Sequence, residues 1–572
     1  MGPKVSCNFS VLFCIISAIF LIYGISRIYQ NHQVRRERNF PEQNVKKLTV
    51  ENTSPSVKQQ EIVTELSTYL GPGADGEQIY LPANREHYEY IRNKSLLHEV
   101  NNFNSDLVGL KRILPDQRPE KCKDIQYPSD LPEVSIVITF REESVPSLLR
   151  TVYSVLETSP DRLIKEVILV DDGSKDEFLK AAVEIHATNV DKIKLLRNEQ
   201  ALGLMRARQR GIEETGSDYF IVLDGHIEVT PGWLEPVLYR LVQEPNALLT
   251  SHIMVLNKET FEISRGDHDI AFMFFDQITL NELWVKYTND YRAYRNGSVS
   301  PIPYGIVPGM MTAMRKSFFL QLGGFDPGME IWGVEHMELS VKTWLCGGVV
   351  EMLPCSKIGH IYRAAPWQSF HPHQRYVSKN MMRFAHVWMD GYLQKLALRV
   401  QHKSNLSHWP DPGDLEDRHK IRRENNCKPY QYYVDKIQNM THNYVPKSPR
   451  VTGVVRNEQT KACLDHATIG GNFVLITYSC TGDSNQFFVL TEDNNIRVER
   501  SWLLVIPGST KLKLLRDITD WSGPEFLWTF ENNSTIKHTV TGKCLTENVR
   551  QNVTLEDCVN SRSQMWKWPL TA

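Results

Sequence analysis

Two short acidic segments of the chain carry side chains that could line a ligand site, and the second of them could hold a metal ion. They are Asp171-Asp172 and Asp224-Gly225-His226, and each ends an apolar run. A carboxylate oxygen and an imidazole nitrogen this close in sequence suit Mn²⁺ or a similar divalent ion. Such an ion can neutralise the charge on a departing nucleotide diphosphate. Taken alone, the second segment could also be a surface aspartate followed by a packed histidine.

A third candidate ligand, His360, stands much further along the chain, after the apolar run 349–353. By itself it could be a buried histidine with an ordinary hydrogen-bonding partner. Combined with Asp224 and His226, it would complete a three-ligand set for a divalent ion.

The elements that must position these residues alternate between strand and helix patterns over residues 131–423. Strands are predicted at 134–139, 166–170, 192–197 and 219–223, and helices at 147–156 and 203–214. This alternation predicts an α/β domain built on a parallel sheet with right-handed crossovers. Ligands of such sheets bind at the carboxyl ends of the strands, which is where both acidic segments fall.

The residues after about 444 have short strand patterns and frequent turns instead. Cys463-Leu464-Asp465 is echoed by Cys544-Leu545-Thr546, and 485–487 is echoed by 563–566, both about 80 residues later. Two echoes at one offset, near two periods of a 40-residue repeat, predict a β-trefoil of three repeats. Coincidence within another kind of β domain is the alternative.

Composition limits the class of protein. The chain has 572 residues, of which 41% are hydrophobic and 23% charged, as in soluble globular proteins. These values exclude a mostly disordered, collagen-like or polytopic membrane protein. With 65 Lys and Arg against 67 Asp and Glu, the chain has no basic excess, so we expect no nucleic-acid partner.

Residues 5–25 form an uncharged run of 21 residues, about 31 Å long as a helix. We predict a transmembrane signal anchor followed by a polar stem. A cleaved signal peptide is the alternative, but the run is long for one. The flanking charges argue against a lumenal location for the part after the span. Four arginines at 27–38 follow the span, and positive charges usually lie on the cytosolic side. Glycosylation sequons after the span favour the lumen; they are at Asn52, Asn93, Asn296, Asn405, Asn439, Asn532, Asn533 and Asn552.

Longer motifs resemble those of the polypeptide N-acetylgalactosaminyltransferase family, and the chain is identified as a divergent member. The motifs lie at 149–155, 168–172, 203–208, 223–226, 232–236, 326–335, 344–348 and 355–363. The resemblance implies a GT-A nucleotide-sugar-binding catalytic domain, followed by an all-β ricin-type β-trefoil lectin domain, behind an N-terminal transmembrane helix. The predicted boundaries are 1–4 for the cytosolic tail, 5–25 for the anchor, 26–75 for the stem, 76–444 for the catalytic domain and 445–572 for the lectin domain.

The resemblance also implies roles for matching residues. Asp224, His226 and His360 would hold Mn²⁺. Glu335 and Trp332 would be catalytic, although Trp332, like Trp344, could be a core aromatic. The substrate-binding positions would be Thr139 and Asp172 at uridine and ribose, Arg363 at the diphosphate, Gly309 at the sugar, and Gly225, Trp332 and Trp367.

Several positions depart from the family pattern. An arginine that normally helps to bind the nucleotide is replaced by Ala201, and a charged hydrogen bond of that kind contributes ~1.5–3 kcal/mol. Further departures are in the segment Arg141-Glu142-Glu143 after the first strand and at Gln200, Pro308, Val334, His336, Ala365 and Trp367. The metal ligands are retained, so chemistry is expected, with donor affinity or sugar choice altered.

The cysteines fit the same plan. Cys7 and Cys14 lie in the predicted span, which leaves eight. The family pattern implies Cys122–Cys355 and Cys346–Cys427, and the natural local pairs in the trefoil are Cys463–Cys480 and Cys544–Cys558. Sequence alone does not fix the connectivity, and free buried thiols are the alternative.

The lectin domain offers at most one sugar site by its sequence. Asp465 and Asn485 match the family's sugar-holding pair in the first repeat, and Tyr478 is a candidate stacking neighbour. Thr546 stands where the third repeat should have an aspartate. A trefoil without sugar affinity is the alternative.

Two functions are therefore open. The first is a retaining, Mn²⁺-dependent transfer of N-acetylgalactosamine from UDP-GalNAc to Ser or Thr hydroxyls of proteins or glycopeptides, which initiates mucin-type O-glycosylation. It implies a single-pass type II protein of the Golgi membrane with a lumenal catalytic part. The second is a catalytically weak relative that binds glycopeptides or regulates active relatives. The retained metal ligands favour the first, and the lost arginine and altered sugar motif favour the second.

Overall fold

The computed structural model describes residues 73, 76–78, 98–264, 271–276, 281–286, 299–363, 374–392, 410–440, 449–469, 472–481, 484–498, 501–516, 523–531, 534–548 and 552–568. The predicted anchor 5–25, almost all of the stem, Ala365 and Trp367 lie outside these residues. A search of the described residues found no helix with the length and hydropathy needed to cross a bilayer.

The helices of the described part precede and flank a mixed sheet. They are α1 (Asn102–Leu107), α2 (Glu120–Lys123), α3 (Val145–Thr158), α4 (Glu177–Asn189), α5 (Leu204–Glu213), α6 (Leu234–Gln243), α7 (Lys316–Gln321), α8 (Glu335–Leu345), α9 (Gln374–Trp388), α10 (Glu416–Glu424) and α11 (Tyr430–Met440). The predicted helices 147–156 and 203–214 correspond to α3 and α5.

Eleven strands belong to the first part of the described chain. They are β1 (Val134–Phe140), β2 (Ile164–Asp171), β3 (Ile193–Arg197), β4 (Tyr219–Asp224), β5 (Ile227–Val229), β6 (Ala247–Leu256), β7 (Ala271–Asp276), β8 (Asn281–Lys286), β9 (Ile302–Pro303), β10 (Met311–Arg315) and β11 (Val349–Ile361). Nine of them form one sheet in the order β3-β2-β1-β4-β10-β6-β11-β5, with β9 beside β11, and β7 pairs with β8.

The four strands predicted from the sequence are parallel, as is the pairing of β6 with β11, but the large sheet as a whole is mixed. Strands β3, β2, β1 and β4 run parallel, but β10 is antiparallel to both β4 and β6, and β5 is antiparallel to β11. The parallel sheet predicted from the first four strands is therefore confirmed, whereas the antiparallel strands β5, β9 and β10 were not predicted. The antiparallel direction of β10 brings its start to the carboxyl end of β4, where the Asp224 amide donates to the Met310 carbonyl at 3.0 Å. The residues just before β10 consequently reach the edge that carries the acidic segments.

Two hydrophobic layers cover the parallel strands. Along β1, Val137 packs into the layer that contains α5 and α8, whereas Ile136 and Ile138 pack into the layer that contains α3 and α6. All seven residues of β1 are buried, which explains why this strand reads as a continuous apolar run instead of an alternating one. The layers leave the carboxyl ends of β1, β2 and β4 as the edge available for polar side chains.

The second part of the described chain is all β, in three small sheets. Its strands are β12 (Pro449–Val454), β13 (Arg456–Asn457), β14 (Cys463–Ile469), β15 (Asn472–Tyr478), β16 (Phe487–Thr491), β17 (Ile496–Val498), β18 (Ser501–Val505), β19 (Leu512–Arg516), β20 (Trp528–Phe530), β21 (Ile536–His538), β22 (Cys544–Glu547), β23 (Val553–Glu556) and β24 (Trp566–Lys567). They pair as β12-β16-β17-β18-β19, β15-β14-β13-β24 and β20-β21-β22-β23.

Repeated core contacts reveal how the three repeats of this part correspond. The Trp528 indole donates to the Leu503 carbonyl at 3.1 Å, and the Trp566 indole donates to the Leu545 carbonyl at 2.9 Å. The cysteine before Leu545 aligns with Trp502 in the middle repeat. Trp502 packs there with Leu504 and Phe526, so an apolar cluster occupies the place of a disulfide.

The described residues contain four disulfides, and they are the pairs that the sequence analysis named. Cys122–Cys355 ties α2 to β11, and Cys346–Cys427 ties the end of α8 to the segment before α11. Cys463–Cys480 and Cys544–Cys558 each close a short loop in the first and third trefoil repeats. The first pair matters for the site because β11 also carries His360.

Candidate functional site

Three side chains at the carboxyl edge of the sheet form a group that could bind a metal ion. Asp224 ends β4, His226 lies in the turn before β5, and His360 lies on β11 opposite Ile227 of β5. One potential ligand atom from each lies within 4.8 Å of the others. The antiparallel pairing of β5 with β11 thus brings His360 back to the two earlier ligands.

The ionisation of this group fits a divalent cation. Burial lowers the pKa of His360, so its imidazole is neutral and keeps a lone pair for coordination. Burial opposes ionisation of Asp224, but the neighbouring His360, whose Nε2 lies 3.6 Å from Asp224 Oδ2, and the charges of Arg208 and His226 lower the pKa of Asp224 and keep it a carboxylate. Neither ring nitrogen of His360 has a hydrogen-bond partner among the described residues, although both are buried. A buried polar atom without a partner is costly, and a bound metal ion would remove that cost.

Glu143, which follows β1, is a site residue that the sequence analysis did not identify. Its buried carboxylate accepts a hydrogen bond from His226 Nδ1 at 3.1 Å and another from Arg363. Burial alone would raise the pKa of Glu143, but the charges of Arg363 and His226 lower it to about 2. A carboxylate on Nδ1 fixes the histidine ring and leaves Nε2 for the metal. The sequence did contain a clue, because Glu143 is a carboxylate three residues after the end of β1. The sequence analysis noted it only as part of a segment that departs from the family pattern.

We expect Glu143→Gln to weaken Mn²⁺ binding about 10-fold to 100-fold, because the amide keeps the side-chain size but loses the charge that orients His226 and Arg363. Isothermal titration with Mn²⁺ in the presence of UDP measures the change. Glu157→Gln is the matched control, since Glu157 forms only an exposed pair with Lys111. Mn²⁺ affinity equal in the two variants would refute the orienting role.

Arg208 is a second site residue that was missed. On α5, its guanidinium donates to Asp224 Oδ1 at 2.7 Å and to Glu335 Oε1 at 3.4 Å. The sequence analysis named only the segment 203–208 and gave this arginine no role. Arg206, two residues earlier, is exposed and donates to the Pro327 carbonyl. Which arginine faces the site depends on how α5 begins, and the left-handed Gly203 (φ 91°) sets that beginning.

Glu335, at the start of α8, lies beside the position where the sequence analysis expected the sugar. Burial would raise its pKa, but His336 and Arg208 lower it, so the carboxylate is charged. Its Oε2 is buried and has no partner in the described part of the chain. A Cβ built on Gly309 would lie 3.4 Å from Glu335 Oε1 and 3.5 Å from His336. The structure therefore brings Gly309, Glu335 and the departure His336 together around one small space.

Thr139 and Asp172 lie at the carboxyl ends of neighbouring strands but differ in their contacts. Thr139 is opposite Asp224 across the β1–β4 pairing, and its buried hydroxyl has no partner within the described ranges. Asp172 accepts hydrogen bonds from the Asn198 side chain and from the amides of Leu202 and Gly203, all at 2.8–2.9 Å. Asp172 thus holds the 198–203 loop, and its binding to uridine stays a prediction, as does that of Thr139.

The remaining predicted substrate residues are placed as follows. Trp332 is 46% exposed, in contrast to Trp344, which is buried and donates to the Tyr304 carbonyl at 3.0 Å, as a core aromatic would. Arg363 reaches the site through Glu143. Gly225 packs against α3, where a Cβ would lie 3.3 Å from Leu148. Trp367 lies outside the described residues, so its substrate-binding role stays a prediction.

In the trefoil, the first repeat assembles the predicted sugar-binding pair. Asp465 accepts hydrogen bonds from Asn485 at 2.6 Å and from Gln486 at 2.7 Å, while Tyr478 is 53% exposed nearby in sequence. The corresponding residues of the third repeat form a weaker pair, because Thr546 accepts from Gln564 at 3.0 Å and brings no carboxylate. The middle repeat has its apolar cluster at this place.

Comparisons with known proteins agree with this two-part organisation. Residues 135–322 match the model of glycosyl transferase family 2, residues 299–365 match the N-terminal domain of galactosyltransferase, and residues 451–566 match the ricin-type beta-trefoil lectin domain. These matches cover both parts of the described fold.

Individual relatives match over most of their length. Polypeptide N-acetylgalactosaminyltransferase 13 of Homo sapiens is 33% identical over 87% of this chain and 88% of its own. Polypeptide N-acetylgalactosaminyltransferase 6 of Bos taurus is 32% identical over 83% of this chain and 78% of its own. A crystal structure of GalNAc-T7 with UDP, GalNAc and Mn²⁺ superimposes with a TM-score of 0.69 at 27% identity, covering 88% of this chain and 93% of that one.

Proposed function

The chain belongs to the polypeptide N-acetylgalactosaminyltransferase family, and we propose that it transfers N-acetylgalactosamine from UDP-GalNAc to Ser and Thr hydroxyls of proteins. The observation that carries the proposal is the Asp224–His226–His360 group, in which both buried ring nitrogens of His360 make no hydrogen bond to the described residues. These three residues would hold Mn²⁺, which supplies charge neutralisation for the UDP leaving group.

The other side chains of the site supply positioning and electrostatics for this reaction. Arg363, held by Glu143, presents a planar guanidinium that suits a diphosphate. Arg208 links Asp224 to Glu335, so the metal site and the space beside Gly309 keep a fixed separation. Glu335 offers its unpartnered oxygen to that space as an acceptor for sugar hydroxyls.

The test is a transfer assay of the purified chain with UDP-GalNAc, Mn²⁺ and a panel of Ser and Thr peptides. Modified peptide that appears only with Mn²⁺ supports the proposal. A catalytically weak binding protein is the second candidate, favoured by Ala201 in place of an arginine. Calorimetry separates the two, because a UDP heat that does not depend on Mn²⁺ would count against transfer.

The structure bears on whether another arginine compensates for Ala201. Arg197, which could have taken the missing role, donates instead to Asp171, the Lys180 carbonyl and Glu184. Ala201 itself is exposed, and its backbone packs against Gly173, where a Cβ would lie 2.6 Å from the Ala201 nitrogen. An added side chain at 201 therefore has room at the edge of the nucleotide crevice.

We expect Ala201→Arg to tighten UDP binding about fivefold, since a guanidinium that reaches a phosphate or base acceptor contributes about 1 kcal/mol or more. UDP titration at saturating Mn²⁺ measures the change. Ala181→Arg adds the same charge on the exposed face of α4 and controls for net charge. A UDP affinity that is unchanged or weaker in Ala201→Arg would show that another group already fills the role.

We also propose that the trefoil binds N-acetylgalactosamine on glycopeptides through its first repeat. The Asp465–Asn485 pair beside the exposed Tyr478 supports one site, and Thr546 argues against a second. Titration of a glycopeptide that carries one sugar tests this, with one bound peptide per chain expected. Two bound peptides, or none, would contradict it.

The membrane anchor at 5–25 and a type II orientation in the Golgi membrane are part of the same proposal. Disulfides such as Cys122–Cys355 support a lumenal location for the described part, because they persist in oxidising compartments. The sequon at Asn552 is exposed. Protease protection in intact microsomes tests the orientation, with the region after residue 25 expected to resist cleavage.

A further inference from the structure

Asn380, in the middle of α9, binds the loop that precedes α8 through four backbone groups. Its Oδ1 accepts from the Glu330 amide at 2.8 Å. Its Nδ2 lies 2.9 Å from the Glu330 carbonyl, 3.0 Å from that of Gly333 and 3.3 Å from that of Trp332. The side chain is fully buried. The side-chain amide of Asn380 therefore holds residues 330–333 both as an acceptor and as a donor of hydrogen bonds.

The loop that Asn380 binds has an unfavourable backbone. Ile331 has φ 55° and Val334 has φ 77°, both in the left-handed region, and both side chains are β-branched. Such residues are strained and persist only where their surroundings enforce them. The chain must therefore hold a valine at position 334 in a conformation that favours glycine.

Other contacts join the same face of α9 to the same loop. Lys379 pairs with Glu330, and Arg383 pairs with Asp326 at 2.8 Å. On the opposite side, the Leu204 amide donates to the Ile331 carbonyl, and a Cβ on Gly203 would lie 2.8 Å from Ile331. The loop is thus held between α9 and the start of α5, the helix that carries Arg208.

The position of the loop decides where Glu335 lies. Val334 is the residue that caps α8, and Glu335 is the first residue of the helix. A change in the Val334 conformation would redirect the first turn of α8 and move the Glu335 carboxylate away from Arg208 and Gly309. Trp332, inside the loop, would move with it.

We propose that Asn380 is a positioning residue for sugar transfer, which holds the 330–334 loop in its strained conformation and thereby places Glu335. This inference rests on the proposed transfer function. Asparagine is required because it combines the acceptor for the Glu330 amide with a donor for three carbonyl oxygens. An aspartate of the same shape would direct a negative charge at those oxygens.

Asn380→Asp tests the proposal with little change of volume. We expect kcat for transfer to fall about 100-fold, the effect of a misplaced catalytic group. The Kd for UDP with Mn²⁺ should change less than about threefold with full stoichiometry, because Thr139 and the metal ligands lie on other elements. UDP affinity or stoichiometry falling in parallel with kcat would indicate a general structural defect and overturn the proposal, as would an unchanged kcat.

A second substitution provides a rescue that general destabilisation would not give. Glycine adopts positive φ at no steric cost, so Val334→Gly should recover at least about tenfold of the kcat lost in Asn380→Asp. No recovery would contradict the claim that Asn380 acts by enforcing the Val334 conformation.

The control is Asn425→Asp, since Asn425 also donates to two carbonyl oxygens, at 2.9 Å and 3.1 Å, but lies at the end of α10. Its kcat should equal that of the unaltered chain. Hydrogen exchange of the Trp332 amide, which donates to the Glu330 carbonyl at 2.7 Å within the loop, gives a readout independent of transfer, and it should be faster in Asn380→Asp. Unchanged exchange would overturn the proposed role of Asn380, whether or not the chain transfers sugar. Absence of sugar transfer by the unaltered chain would count against the proposed function and not against this role.

Discussion

We expect His226→Ala to lower kcat/KM for transfer about 1000-fold while leaving the fold intact. The substitution removes one of three candidate metal ligands, and the charge neutralisation that the metal supplies is worth several kcal/mol. His226 lies in the turn between β4 and β5 outside the hydrophobic layers, so its loss empties no core. Transfer rate and circular dichroism of one preparation measure both effects.

His386→Ala is the control for this variant, because His386 is an exposed histidine on α9 away from the candidate ligands. It should transfer sugar at the rate of the unaltered chain. Activity of His226→Ala within about threefold of that rate would refute the ligand assignment, since a lost ligand cannot leave Lewis-acid chemistry unaffected.

The next largest effect is expected for Glu335→Gln, which should reduce kcat about 100-fold to 1000-fold, as the loss of one preorganised electrostatic contact does. The amide occupies the same volume beside Gly309 but removes the charge that pairs with Arg208. Single-turnover transfer at saturating donor gives kcat, and UDP titration shows whether nucleotide binding is retained.

Glu351→Gln serves as the comparison, because this glutamate also pairs with an arginine, Arg240, but does so on β11 away from the site. Comparing kcat of the two variants shows whether the loss of any buried charge lowers transfer, or only the loss of the charge beside Gly309. Equal kcat values for them would mean that Glu335 has no special role in transfer.

Strands β1, β2 and β4 were predictable because each is an apolar run with a clear end. Buried parallel strands need apolar side chains on both faces, and the acidic residues Asp171 and Asp224 are the last residues of β2 and β4. The direction of β10 was not predictable in this way. Its sequence is a similar apolar run, and only the pairing with β4 and β6 decides that it runs antiparallel.

The candidate metal ligands could be named from the sequence, whereas Glu143 and Arg208 could not be given roles from it. Aspartate and histidine residues at the end of a predicted strand can be recognised as candidate ligands from their type and position alone. The facing direction of Arg208 depends on the turn at Gly203, which is itself packed against Ile331 from a distant segment. The replacement at Val334 showed only an altered motif in the sequence, while the structure identifies it as a left-handed residue that starts a helix.

The place of β11 in the sheet has a consequence for the order in which this chain can fold during synthesis. β11 lies between β6 and β5, both of which leave the ribosome before it, and it carries both His360 and Cys355. Cys122 must therefore wait through 233 residues for its partner. A nascent chain that ends before β11 has two of the three candidate metal ligands and a sheet edge that can pair with other chains. That edge and the Cys122 thiol stay without their partners until residue 361 has emerged.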